Sequence, residues 1–209
     1  MLTLLVAAVL NGEPTMLTTG PAVEAQLKAG PVQVAVSGTV ERVSLGRKGG
    51  LGTAVVLDDG TAVWLTYEAP PEGWEPLLGK FVRVEGKLQG QSAASPQSMM
   101  APHLVSPGKP VEVKRELSTL VDQTVRLVGK AENAKGGAVV LVDGKPVYVA
   151  KKDSWPDTLR TKRISLGGKL TRTQYLPQAT VNAKGEISQG TSGASTDYVL
   201  RDATEPTVF

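Results

Sequence analysis

Ala54-Val55-Val56-Leu57-Asp58-Asp59-Gly60-Thr61-Ala62-Val63-Trp64-Leu65 and Ala138-Val139-Val140-Leu141-Val142-Asp143-Gly144-Lys145-Pro146-Val147-Tyr148-Val149 are two versions of one stretch, identical at seven of twelve positions. Each reads as strand, turn, strand. The flanks are rich in β-branched residues, which suit a pleated surface. The Asp-Gly pairs supply the positive φ that a tight hairpin requires. Read without a gap, Ala54 falls on Ala138 and Trp64 on Tyr148.

The similarity extends outward. Lys48-Gly49-Gly50 and Lys135-Gly136-Gly137 precede the two hairpins, and Trp74 and Trp155 follow them. Val82-Arg83-Val84-Glu85-Gly86-Lys87-Leu88 matches Ile164-Ser165-Leu166-Gly167-Gly168-Lys169-Leu170, and Gly38-Thr39-Val40-Glu41 matches Gly129-Lys130-Ala131-Glu132. Blocks matched in one order mark an internal duplication. The 209 residues therefore divide into two small domains rather than one large one.

Within each copy the first strand is long, at Val32–Val43 in the first, with Gly38 permitting a bend or bulge. Further strands are expected at 53–57, 62–66, 81–88 and 98–105, and at 138–142, 146–149, 163–172 and 197–201. Pro76 and Pro156, next to the tryptophans, suit a first helical turn. Three strands, a short helix and two strands resemble the OB-fold, a five-stranded Greek-key barrel. The likeness is to OB-like domains of the kind found in many uncharacterised bacterial proteins. The expected fold class is all-β, two tandem five-stranded OB-like Greek-key barrels, each with a short helix between strands 3 and 4. The expected divisions are an apolar segment and lead-in at 1–30, a first barrel at 31–106 and a linker at 107–118. A second barrel at 119–203, with a long loop at 177–196, and a tail at 204–209 complete the chain.

Composition limits the chemistry. With no cysteine there is no disulfide, thiol nucleophile or thiolate metal site. His103 is the only histidine and reads as an edge residue, which leaves little material for histidine general bases or metal sites. Asp58 and Asp59 are adjacent on a strand and point to opposite faces; Asp59 and Asp143 read as turn residues. Gly46-Arg47-Lys48-Gly49-Gly50-Leu51-Gly52 has no Ser or Thr after its lysine and precedes a strand, so it lacks the phosphate-loop pattern. Neither an enzymatic activity nor a cofactor is expected. Leu2–Leu10 is apolar but too short to span a bilayer. No Lys or Arg precedes it, so a packed element is favoured over a signal peptide cut near Val23-Glu24-Ala25. A cytoplasmic location is expected, with export as the alternative.

Charge is uneven. Residues 27–113 carry eight Lys/Arg and eight Asp/Glu, whereas 114–175 carry thirteen and six. If Val63, Leu65, Val147 and Val149 face the barrel cores, Trp64 and Tyr148 point outward. These two residues, with Lys135, Lys151, Lys152, Arg163 and Arg172, are the candidate partner-binding set. The expected function is non-catalytic: protein–protein interaction as a scaffold, accessory subunit or inhibitor. Single-stranded nucleic acid on the basic second barrel is the alternative partner.

Overall fold

A computed structural model of the protein describes residues 14–30, 32–44, 51–66, 71–90, 101–176, 184 and 196–209. The Leu2–Leu10 run, the Lys48-Gly49-Gly50 loop and most of the loop 177–196 lie outside these residues. Among the described residues the fold is all-β apart from one short α-helix and two 3-10 turns. It opens with β1 (Thr15–Leu17) and α1 (Gly20–Ala29), followed by β2 (Val32–Ser44), β3 (Leu51–Val56) and β4 (Ala62–Thr66). The first half closes with β5 (Phe81–Gln89), β6 (His103–Val105) and β7 (Val111–Glu112). The second half contains β8 (Thr124–Ala134), β9 (Gly137–Val142), β10 (Lys145–Val149), β11 (Arg163–Thr173), β12 (Asp197–Arg201) and β13 (Thr207–Val208).

Both halves follow one circuit. In the second, β8 pairs with β9, β9 with β10, β10 with β12, β12 with β11, and β11 returns to β8. The result is a closed five-stranded barrel, compatible with the OB-like expectation. In the first, β2, β3, β4, β6 and β5 run in the same order, and the seam between β4 and β6 is one pair wide, Trp64 opposite His103. Each barrel has its own core. Val34, Val40, Val55, Val63, Leu65 and Trp74 pack in the first, and Leu127, Val140, Val147, Trp155, Ile164 and Leu200 in the second.

The long first strand bends where the glycines stand. β2 pairs with β5 over Val32–Thr39 and with β3 over Thr39–Ser44; β8 changes partner from β11 to β9 at Lys130. Gly38 and Gly129 immediately precede these two handover residues. A Cβ on Gly38 would overlap the Val56 carbonyl oxygen, with the carbonyl carbon at 2.8 Å; one on Gly129 would overlap that of Leu141, again with the carbon at 2.8 Å. Because backbone cannot step aside as a side chain can, Gly38→Ala and Gly129→Ala are each expected to lower stability by about 1–3 kcal/mol. Urea unfolding of the two variants measures this.

The ungapped match of the hairpins is one residue out of structural register in the leading strand. Val55 pairs with Val63 and Val140 with Val147, so Val55 corresponds to Val140 and not to Val139. A one-residue slip exchanges the faces of a strand, and Val55 and Val140 lie in the barrel cores whereas Val139 lies in the buried cluster on the outer face. The extra residue lies in the turn. Asp143 and Gly144, both at positive φ, make a tight two-residue turn, whereas Asp59-Gly60 sits inside a loop closed by Leu57 N–H donating to the Thr61 carbonyl.

The 107–118 segment is not a free connector. Val111–Glu112 pairs with Arg83 and Val82 on β5, as Thr207–Val208 of the tail pairs with Ser165 and Ile164 on β11. Val113 N–H donates to Phe81 O and Phe209 N–H to Arg163 O; Gly108 N–H donates to Glu85 O and Thr204 N–H to Gly167 O. Pro110 and Pro206 also correspond. The linker and the tail are thus the same part of the duplicated unit. A lead-in precedes each barrel: Val23 of α1 is fully buried in the first core, and Leu117 and Leu120 of a 3-10 turn enter the second. The Val23-Glu24-Ala25 stretch therefore lies in mid-helix. The short helix expected after the third strand is a 3-10 turn at Glu75–Leu77 in the first barrel. In the second it is a run of turns, where Leu159 and Arg160 N–H both donate to Pro156 O.

Candidate functional site

Alternation along β4 and β10 puts Val63 and Leu65, and Val147 and Val149, into the two cores. Trp64 and Tyr148 accordingly point outward, yet both are covered, at 8% and 7% exposure. Trp64 packs with Ala54 and Val56 in a small cluster outside the barrel. A Cβ on Gly52 would meet its ring carbon Cζ3 at 2.5 Å, so the glycine makes room for the indole. Tyr148 packs with Val139 and Val199 beneath Tyr175 and Leu176. Burial first, then the Asp197 charge and Tyr175, hold the Tyr148 hydroxyl above its ordinary value of 10.0. The folded state therefore favours the neutral phenol. That contribution is complete below the ordinary value and is lost as pH rises through the raised one. Stability is expected to fall more steeply above pH 10 in the native chain than in Tyr148→Phe, as urea unfolding at successive pH values would show.

The five basic candidates do not form one patch. Lys135, Lys151 and Lys152 stand on neighbouring loops: Lys135 begins the turn into β9, and Ala138 N–H donates to Lys152 O. The Lys152 ammonium lies 4.9 Å from the centre of the Trp155 ring. Arg163 and Arg172 are at opposite ends of β11. The guanidinium of Arg172 lies over Tyr198 at 5.6 Å, and Arg163 reaches into the first barrel, donating to Gly79 O at 2.9 Å.

Arg163 belongs to a polar seam between the barrels. Glu41, 1% exposed, accepts from Arg126 Nε at 2.5 Å, from Arg126 Nη2 at 2.9 Å and from Ser165 Oγ at 2.8 Å. Asp58 accepts two bonds of 2.8 Å from the Arg115 guanidinium and one of 2.9 Å from Arg126 N–H. Arg115 in turn lies 4.1 Å above the Phe81 ring. A buried carboxylate needs such partners to offset its desolvation. A cleft of about 490 Å³ opens beside the seam, lined in part by Lys80, Phe81, Lys114, Leu117, Leu120 and Arg163. Lys80 is paired with Glu112 at 3.0 Å.

Glu41, Asp58 and Arg115 were not among the sequence candidates. One signal pointed to Asp58: the ungapped match sets Val142 against it, and in structural register it falls in the longer turn of the first copy, so either way its charge has no counterpart in the second. Asp59 keeps its turn bond, accepting from Thr61 N–H at 3.0 Å, and also accepts from Gly20 N–H at the start of α1. The His103 ring contacts Ala101 O at 3.2 Å. Among the described residues no three His, Asp or Glu side chains gather into a metal site, and no helix is long and apolar enough to cross a membrane. No protein-family model matches the chain, and no curated protein or solved structure is significantly similar to it.

Proposed function

We propose that the chain is a non-catalytic protein-binding module of two OB-like barrels, a scaffold, accessory subunit or inhibitor, whose tail strands pair with a partner. One observation carries this reading. Among the described strands β7 and β13 lie at the sheet edges, and the apolar side chains around them stay exposed: Val111 at 62%, Val208 at 47%, Val113 and Phe209 at 36% each. An edge strand presents unpaired backbone groups that an extended segment can satisfy, with apolar neighbours adding affinity. The seam supports the same reading. Arg126 and Arg163, which would otherwise contribute to a basic groove, bond to the first barrel.

The test uses the immobilised full chain against lysate of its source cell, with and without nuclease. A protein retained after nuclease by the native chain, and released by Val111→Lys or Val208→Lys at unchanged melting temperature, supports the proposal. Retention of nucleic acid alone overturns it. The three lysines gathered on adjacent loops favour single-stranded nucleic acid as a second reading. Its signature is oligonucleotide affinity that falls steeply with salt and is weakened by Lys151→Ala/Lys152→Ala.

A further inference from the structure

The outer face of the second barrel carries an occupant from its own chain. After β11 the segment Gln174-Tyr175-Leu176 turns across the Tyr148 face. The Tyr175 ring centre lies 5.0 Å from that of Tyr148, with the planes tilted by 35°. Leu176 fills a notch over Gly136, so closely that a Cβ on Gly136 would overlap its Cδ2 methyl; that Cβ would also lie 3.1 Å from Tyr148 Cε1. Tyr175 and Leu176 N–H both reach the same oxygen, Asp197 Oδ2, each at 3.4 Å. Together Val139, Tyr148, Val199, Gly136 and Asp197 make a shaped receptor for an aromatic residue followed directly by a branched aliphatic one.

The receptor is apolar and specific, whereas its occupant is weakly held. Bonds of 3.4 Å lie at the long end of the useful range. Tyr175 and Leu176 are only half-buried, while the Val139, Tyr148 and Val199 surface beneath them is almost fully covered. Releasing the strap would expose that surface without breaking a strand pair, since β11 ends at Thr173.

We propose that this notch is a protein-binding site masked by the chain's own Tyr175-Leu176. Its partner is an extended peptide segment carrying an aromatic–aliphatic pair, which displaces the strap and takes over the bonds to Asp197. This rests on the reading of the chain as a protein-binding module and adds a second, gated surface to the edge strands. The strap sets a threshold: a partner binds with its intrinsic affinity reduced by the fraction of chains in which the strap is open.

A blocked peptide of residues 171–176 is the probe, titrated into the isotopically labelled full chain and followed by NMR. The Tyr175→Ala/Leu176→Ala variant should show saturable shifts centred on Val139, Tyr148 and Val199, with affinity at least about tenfold above that of the native chain. Adding Gly136→Ala, which fills the notch, should abolish those shifts. Hydrogen exchange of the native chain provides a measurement free of any variant. The Tyr175 and Leu176 amides should exchange through local opening, at least about a hundredfold faster than those of Leu166 and Leu170 on β11. Strap amides as protected as β11, or a folded double variant that ignores the peptide, would overturn the proposal. If the peptide fails while a protein partner is captured through Val111 and Val208, the gated site falls and the broader function stands.

Discussion

Glu41→Ala is expected to destabilise the chain by about 3–5 kcal/mol, because it strips the partner from a buried arginine. Arg126 has an 11% exposed side chain and directs both Nε and Nη2 at the Glu41 carboxylate. Without that carboxylate, the guanidinium keeps, among the described residues, its 3.4 Å bond to Thr207 Oγ1, and Ser165 Oγ loses this acceptor. Glu41→Leu/Arg126→Met should cost much less than the sum of the two single changes, since it removes both charges and keeps the volume. The barrels should also uncouple. Trp64 and Trp74 report on the first barrel and Trp155 on the second, so denaturation followed by fluorescence of single-tryptophan versions separates them. The native seam predicts coincident transitions; Glu41→Ala should split them. Coincident and unshifted transitions in the variant would show that the seam contributes little.

Trp155→Ala should cost a similar amount, about 3–5 kcal/mol, from a different cause. The indole is 2% exposed in the second core, and its Nε1–H donates to Val139 O at 2.8 Å. Its backbone is clamped by Asn133, whose Oδ1 accepts from Trp155 N–H at 2.7 Å and whose Nδ2 donates to Trp155 O at 3.2 Å. Truncation leaves a cavity and removes the bond to the Val139 carbonyl together. Trp155→Phe retains most of the ring volume and forfeits the bond, so its cost should fall to about 1–3 kcal/mol. Guanidinium unfolding of both variants separates the packing contribution from the polar one. A Trp155→Phe variant as damaged as Trp155→Ala would show that the hydrogen bond, and not the volume, dominates.

The strands were legible because their signals are local. Ala62–Thr66 and Asp197–Arg201 stand where alternation and turn residues placed them, and the bends at Gly38 and Gly129 are the one feature of the long strands that a glycine announces. The outward direction of Trp64 and Tyr148 follows from period-two alternation. Their burial does not, because it depends on what the chain lays over them. Gly52 lies twelve positions before Trp64, and Tyr175 and Leu176 reach Tyr148 from the far side of β11. The slipped register of the leading hairpin strand has a similar origin. Seven identities reward an ungapped match, while pairing follows which face is apolar.

From its residues alone, then, the chain determines a duplicated set of strands, their turns and the tryptophan that closes each core. Those depend on neighbours within a few positions, where backbone preference and side-chain alternation act. Only the tertiary structure decided that Arg115, Arg126 and Arg163 serve the seam rather than an open basic face. The Glu41–Arg126 contact joins residues 85 positions apart. A carboxylate and a guanidinium at that separation have no local signature. They meet because two closed barrels bring them together, and once buried each requires the other to offset its lost hydration.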